Sequence, residues 1–576
     1  MKLLSTFIIV FIFSCSHTSE IRKASLISGK KQSQYEARAK NYMISTQGHF
    51  TTQAAKYAID QGGNIFDAAT AASFAISVER PHSTGIGGGG FMILNHAKSQ
   101  NVEAFDFREM APSRAHSKMF LDKNGKQITE KSLTGPYASG VPGLVAGVLE
   151  VQKKYGKLPL SIVMKPAIDL AENGFEIYPA LARALEAKSE KLCKFPASKK
   201  IFLNDNCSPK KAGERLFQKD LAQTLRIIAK KGREGFYAGE VAQKIVSSQK
   251  KYQGLITLSD LKNYQVKMRE PVVGTFRGNK VVSMPPPSSG GTHVIQILNI
   301  LESFPLKELG PQSAEAIHLT ASAMQIAFAD RAAYLGDSDY ADVPIKTLIS
   351  KKYANALAKK IPRNKALSSK DFPISFDKIL SEPDHTTHFT IMDGEGNVVT
   401  STQTINGWFG SSLVAAGTGI VMNNEMDDFA SHVGGVNLFG AIGGKNNLVE
   451  PGKRPLSSMS PSIVYNKKGE PILALGTPSG TRILTCVMQT ILNYIEHDMP
   501  LWDAVSATRI HHQWQPEEIR VGPPGFDKSV EEKLKKMGHK LNHKSLGCSI
   551  QAIARYQDQT LHGVSDPRGE GSSVGF

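Results

Sequence analysis

Thr386-Thr387-His388-Phe389-Thr390-Ile391-Met392, Asp393-Gly394-Glu395-Gly396-Asn397 and Val398-Val399-Thr400-Ser401-Thr402-Gln403-Thr404-Ile405 read as strand, turn and strand. Two β-favouring runs flank a cluster of turn residues, which is the pattern of a hairpin. Pairing Met392 with Val398 sets every pair further out, so Thr386 faces Thr404; a bulge would move this by one residue. The hairpin therefore brings two hydroxyls opposite each other.

A second unit of the same kind lies downstream. Residues 462–465 read as a strand, 466–469 as a turn and 472–475 as a strand, after which Gly476-Thr477-Pro478-Ser479-Gly480 leads into a helix from Arg482. Such a loop delivers backbone N–H groups at a helix N-terminus, where they can stabilise an oxyanion aimed at them.

Upstream of the hairpin, residues 361–384 are polar, lysine-bearing and interrupted by Pro362, Pro373 and Pro383, the composition of an exposed connecting segment. Residues 144–366 read mainly as helices, broken at Pro285-Pro286-Pro287. Residues 53–78 have the alanine-rich periodicity of one buried helix, and strands are expected at 91–94 and 102–107. Ordered structure is expected from near Met43, after a flexible polar leader. At 576 residues, length alone suggests three or four domains.

The N-terminus reads as an export signal: Met1-Lys2 is positive, residues 3–13 are apolar, and Ser14-Cys15-Ser16 is a small-residue region. Cys15 loosely resembles the cysteine of a bacterial lipoprotein box, so a lipid on Cys15 and simple cleavage stand as alternatives. No internal run of about 18 apolar residues suggests a membrane span. Of the remaining cysteines only Cys193 and Cys207 are close in sequence, and Cys486, inside a helical pattern, reads as a buried inert thiol.

The net charge of +17 is spread over scattered lysine runs with almost no interleaved aromatics, which argues against a nucleic-acid partner. Gly85-Ile86-Gly87-Gly88-Gly89-Gly90 matches a dinucleotide fingerprint in letters, but a helix precedes it and a strand follows, so a tight backbone turn is expected instead. Gly571-Ser572-Ser573-Val574-Gly575 matches a nucleophile elbow with no room for its helix. His511 and His512 are neighbours with no carboxylate at ligand spacing, and read as packing or capping residues. No metal or cofactor is implied.

Several long motifs, in order, resemble the bacterial γ-glutamyltransferases (γ-glutamyltranspeptidases). They are Asp106-Phe107-Arg108-Glu109-Met110-Ala111-Pro112, Met284-Pro285-Pro286-Pro287-Ser288-Ser289-Gly290-Gly291, Thr386-Thr387-His388-Phe389, Asn423-Asn424-Glu425-Met426-Asp427-Asp428-Phe429, Arg454-Pro455-Leu456-Ser457-Ser458-Met459-Ser460-Pro461 and Ser565-Asp566-Pro567-Arg568. The resemblance implies a four-layer αββα sandwich of the N-terminal nucleophile hydrolase type (α+β). It also implies a precursor that cuts itself between His385 and Thr386. The division is then 1–19 signal or lipoprotein segment, 20–42 leader, 43–385 large subunit and 386–576 small catalytic subunit.

By the same resemblance Thr386 is the nucleophile, Thr404 orients or activates its hydroxyl, and the amides of Ser479 and Gly480 form the oxyanion hole. Arg108, Ser457 and Ser458 are assigned to the substrate α-carboxylate, and Asn406, Glu425 and Asp428 to its α-ammonium. Substrates are glutathione and other γ-glutamyl compounds, with water, amino acids or peptides as acceptors. The implied location is outside the cytoplasm, periplasmic or secreted. Three departures stand out: Ser479-Gly480 where many relatives have Gly-Gly, Glu425 where some have glutamine, and Phe439 for the usual tyrosine in a lid loop at 430–444. A related acylase or poly-γ-glutamate-cleaving enzyme, or an inactive exported binding protein, would share the fold. Taken singly, Thr386 is an ordinary strand residue, Arg108 an ion-pair partner and Asp427-Asp428 a solvated turn; it is their joint order that points to catalysis.

Overall fold

A computed structural model describes residues 34–371 and 386–576. The export signal, Cys15, most of the leader and most of the connecting segment lie outside the described residues. The remainder belongs to a single unit, not the three or four domains that length suggested.

Fourteen strands make two seven-stranded sheets. In chain order they are β1 (Glu36–Ala39), β2 (Tyr42–Thr46), β3 (Gly89–His96), β4 (Asn101–Asp106), β5 (Lys267–Arg269), β6 (Val272–Phe276), β7 (Asn279–Ser283), β8 (Thr387–Asp393), β9 (Val398–Thr404), β10 (Ser462–Tyr465), β11 (Pro471–Gly476), β12 (Gln551–Arg555), β13 (Leu561–Ser565) and β14 (Ser572–Gly575). One sheet runs β14-β2-β8-β9-β3-β4-β5 and the other β1-β13-β12-β11-β10-β7-β6. Strand β1 corrects the leader reading, since Glu36–Ala39 pairs antiparallel with β13. Residues 144–366 are mainly helical, as expected, with the β6–β7 hairpin among the few strands they contain.

The two sheets face each other, and alternate residues of each strand point to opposite sides. Met43, Ile93 and Met392 bury against Ile463, Leu473 and Leu475 of the opposing sheet. Their neighbours Ile44, Met92, Leu94 and Ile391 point the other way, into a helix layer. That layer includes α1 (His49–Asp60) and α2 (Ile65–Glu79). The single helix expected over 53–78 is thus two, because Gly62 takes φ +86° and Asn64 starts afresh with a capping box to Asp67. Beyond them in sequence come α3 (Pro179–Cys193), α4 (Gly290–Leu301), α5 (Ala314–Tyr334) and α6 (Arg482–Ile495). Helices α4, α5 and α6 contribute to the core on the outer side of the second sheet. The result is the expected αββα order.

Where the sheets touch most closely, a glycine is required. A Cβ on Gly476, at the end of β11, would lie 2.2 Å from the His388 ring of β8. His388 is fully buried and bonded to Thr402 and Thr390, and burial holds its imidazole neutral, down to about 3. Strands β8 and β11 are therefore clamped together two residues from Thr386.

Candidate active site

The register of β8 and β9 is Met392 with Val398 out to Thr387 with Gln403, so no bulge intervenes. One step further, Thr386 Oγ1 lies 3.2 Å from Thr404 Oγ1. Thr404 Oγ1 also accepts the Asn406 N–H at 2.8 Å, which fixes its position, and either hydroxyl of the threonine pair can donate to the other. Behind it, a Cβ on Gly88 would sit 2.0 Å from the Thr404 carbonyl. The glycine run is thus the close backbone turn that its context suggested, backing the strand that carries Thr404. Thr386 is buried and has φ +147°, a conformation that β-branched residues rarely adopt.

The loop after β11 leads into α6, and neither the Ser479 nor the Gly480 N–H donates to a described residue. Both residues have positive φ, +117° and +54°. Glycine tolerates this and serine does not. Ser479 also buries its hydroxyl without a hydrogen-bond partner among the described residues. The serine for glycine departure therefore keeps the loop geometry at a cost in stability. Strain of about 1–3 kcal/mol, offset by glycine's entropy of about 0.5–1 kcal/mol, leaves a net gain on removing the side chain. Ser479→Gly is expected to raise Tm by a few degrees with activity retained, checked by thermal denaturation; a lower Tm would show that the serine is not strained.

A small charged pocket of about 20 Å3 opens beside these groups, lined by Thr386, Thr404, Asn406, Ser457, Ser458 and Gly480 together with Arg108, Glu425 and Asp428. Arg108 is buried, donates to Glu425 through Nη1, and lies 2.5 Å from Asp428 through Nη2. The cation and the carboxylates assigned to opposite ends of a substrate are each other's partners. Asn406 donates to the Asn424 carbonyl at 3.0 Å, and Ser458 Oγ lies 3.4 Å from Ser289 Oγ. Ser479 does not line this pocket, whereas its loop neighbours Gly480 and Thr481 do.

Three charged or polar groups here escaped the sequence reading. Glu109, adjacent to Arg108, has both carboxylate oxygens buried without a hydrogen-bond partner among the described residues, 3.8 Å from the Arg108 guanidinium. Burial pushes Glu109 up to about 7 and Glu425 well above the carboxylate range, in both cases against the lowering pull of Arg108. Burial likewise raises Asp428, against the lowering pull of Arg108. Arg331 lines the pocket from α5, is pushed down to about 10 by burial, and donates to Ser289 at 3.1 Å. Its signal in the sequence was a lone arginine in an alanine-rich helix. Gln513 is the third.

Residues 430–444 close over the pocket. Asn437 donates to Asp428 at 2.8 Å and the Leu438 N–H to Asp427 at 2.8 Å. Phe439 packs on the oxyanion loop so tightly that a Cβ on Gly480 would lie 2.3 Å from its ring. The hydroxyl that Phe439 lacks is replaced by other contacts: Gln513 Nε2 donates to the Phe439 and Gly440 carbonyls at 3.2 and 3.1 Å, while its Oε1 accepts from Thr481 at 2.8 Å. Gln513 thereby ties residues 430–444 to the loop after β11.

His511 and His512 are buried and held neutral by desolvation, with His511 bonded to Thr485 and Gln513. His511 ends a short strand, Ile510–His511, and His512 follows it. The cysteine reading needs correction: Cys486 is bridged to Cys548, with Cα atoms 6.6 Å apart, and Cys193 is bridged to Cys207 at 5.7 Å. The first pair is 62 residues apart in sequence. Only the return of the chain beside α6 brings Cys548 within bridging distance.

Comparison with known proteins places this geometry. The family model described as Gamma-glutamyltranspeptidase matches residues 51–576. The chain is 44% identical over 536 residues to the glutathione hydrolase proenzyme of Escherichia coli (strain K12), covering 93% of this chain and 91% of that protein. The crystal structure of cephalosporin acylase from Bacillus halodurans superposes with a TM-score of 0.82 at 27% identity, covering 97% of this chain and 99% of the other. The crystal structure of Helicobacter pylori gamma-glutamyltranspeptidase gives a TM-score of 0.55 at 43% identity, covering 56% of this chain and 93% of the other. With the paired threonines, the charged pocket and the αββα sandwich, these matches show that the chain belongs to the gamma-glutamyltranspeptidase family.

Proposed function

We propose that the chain is a γ-glutamyltransferase and glutathione hydrolase, cleaving γ-glutamyl amides through an ester on Thr386. The observation that carries this reading is the Thr386 hydroxyl, 3.2 Å from Thr404, at the mouth of a pocket whose only space lies among paired opposite charges. A γ-glutamyl group ends in an α-ammonium and an α-carboxylate. On binding, Arg108 with Ser457 and Ser458 turns to the carboxylate, and Glu425, Asp428 and Asn406 turn to the ammonium. The internal pairs of Arg108 with Glu425 and Asp428 are exchanged for pairs to the substrate. The pocket's volume of about 20 Å3 is that of little more than one water, so the lid must move for entry.

A threonine hydroxyl is a weak nucleophile and a peptide nitrogen is no base. Cutting the chain between His385 and Thr386 frees an α-amine with a pKa of about 7.7–8.0. The cut also removes the constraint at φ +147°, since that torsion is defined by the carbon of the preceding residue. In the mature enzyme the amine takes the Thr386 proton as Oγ attacks the γ-carbonyl, with Thr404 orienting the hydroxyl. The Ser479 and Gly480 N–H groups receive the oxyanion. The C–N bond then breaks and the proton leaves on the departing amine. Water, an amino acid or a peptide takes the acyl group, giving its proton back to Thr386.

The reading includes export to the periplasm or beyond, with Cys15 either lipidated or removed. Two disulfides support an oxidising compartment. Intact mass of the purified protein tests both parts: a chain of residues 386–576 is expected beside a larger one whose mass reports the fate of Cys15. A fully active single polypeptide would sink the mechanism.

Thr404→Ala is expected to slow the chemical step by about 10- to 100-fold on confirmed cleaved protein, as loss of a positioned proton partner does. An unchanged kcat for a slow-acylating substrate would remove Thr404 from the chemistry. The likeness to a cephalosporin acylase favours a second reading, an acylase for a related side chain; preference for free over N-acetylated donors decides between the two.

A further inference from the structure

Arg331 is a cation of the small pocket that faces no carboxylate of its own. It comes from α5, lines the pocket and is 4% exposed. Among the described residues it forms no ion pair, and its side chain makes one hydrogen bond, from Nε to Ser289 Oγ at 3.1 Å. The acid next to it in sequence is engaged elsewhere, since Asp330 accepts from Gln296 at 2.5 Å and from Tyr353 at 3.1 Å. A buried guanidinium without a counter-charge is costly, and the cost is recovered when an anion enters beside it.

Arg108 is placed differently. Its Nε donates to the Pro455 carbonyl at 3.2 Å, Nη1 to Glu425 and Nη2 to Asp428, and Glu109 stands 3.8 Å away. One cation shared among three carboxyl groups attracts a further carboxylate weakly, because the neighbours repel it at similar range. A second cation changes that balance. Arg331 also reaches the two serines assigned to the α-carboxylate. Ser289 Oγ, which it holds, donates to the Ser457 carbonyl at 2.9 Å and lies 3.4 Å from Ser458 Oγ. Ser289 stands at the start of α4, so two helices converge on that hydroxyl.

We infer that Arg331 is a specificity-determining residue for the donor, supplying the second positive charge that its α-carboxylate needs and bracing Ser457 and Ser458 through Ser289. The inference rests on the γ-glutamyl reading above and deepens it. Arg108 then serves both ends of the amino-acid group: it orders Glu425 and Asp428 for the ammonium, while Arg331 offsets their repulsion of the acid.

The test uses mature, cleaved enzyme and three donors: γ-glutamyl p-nitroanilide, the same anilide with its α-carboxyl converted to the carboxamide, and the N-acetylated anilide. The wild type is expected to favour the acid over the carboxamide by about 100-fold in kcat/KM. Arg331→Gln should shrink this ratio by about tenfold, chiefly through KM for the acid, as loss of a charge-assisted contact does. Arg331→Lys keeps the charge but not the fork, and its ratio should fall between the two. The preference for the free over the N-acetylated donor should move much less, since it reads the other end of the pocket. If Arg331 only supports the fold, acid and carboxamide fall together and the ratio stays at the wild-type value, which overturns the inference. Should Arg331→Gln fail to cut itself, the ratio in Arg331→Lys carries the test, and an unchanged value there overturns the inference equally. A wild type indifferent to the α-carboxyl overturns it too, while cleavage of the anilide leaves the acyl-transfer reading standing. A wild type that cleaves none of the three donors overturns both.

Discussion

Thr386→Ala is expected to remain one uncut chain with no measurable γ-glutamyl transfer or hydrolysis. The same hydroxyl performs the cut and the turnover, so both losses come from one atom. Denaturing electrophoresis and anilide hydrolysis read them separately. The fold should survive, because Thr386 precedes β8 and contributes only a hydroxyl contact to Thr404. Activity in a folded, uncut Thr386→Ala protein would place the nucleophile elsewhere.

The second large effect is expected at the acidic end of the pocket. Truncating one partner of a desolvated charge pair costs about 2–5 kcal/mol, because the other charge is left unpaired. Asp428 pairs with Arg108 and is assigned to the substrate α-ammonium, so Asp428→Ala loses both. We expect kcat/KM for glutathione or a γ-glutamyl anilide to fall about 30- to 4,000-fold while the chain still cuts itself. The wild type should reject an N-acetylated donor, which keeps the scissile amide but not the ammonium, and Asp428→Ala should reject it far less. Equal preference for free and acetylated donors in both proteins would remove Asp428 from recognition of the amine and favour the acylase reading.

The parts of the site that are local in sequence were legible in it. Hairpin pairing follows from a turn and two strands, so Thr386 could be set against Thr404, and the strand-loop-helix of residues 462–495 could be read for its N–H groups. Groups joined only by the tertiary fold were not. Arg331 reaches the pocket from a helix whose pattern is that of a buried core element. Gln513 meets the lid 74 residues from Phe439, and no periodicity announces such a contact. Glu109 was within a quoted motif, but its burial without hydrogen-bond partners among the described residues is a property of packing. The opposed charges of Arg108, Glu425 and Asp428 were assigned to a ligand; that they also hold each other is seen only in the folded structure. The short strand Glu36–Ala39 was lost in polar sequence because an edge strand needs only one buried residue here, Ala37.

The order of strands has a consequence for how the mature enzyme is made. With a cut before Thr386, β14, β8 and β9 belong to one fragment and β2, β3, β4 and β5 to the other, so β2 lies hydrogen-bonded between β14 and β8. The opposite sheet interleaves likewise, with β1, β7 and β6 flanking four strands of the smaller fragment. Neither fragment can leave without tearing both sheets, so the native enzyme behaves as one molecule. Once unfolded it is two, and recovery becomes a bimolecular encounter governed by mass action. Assembly is thus easy once, while the chain is continuous, and dilution penalises every later attempt.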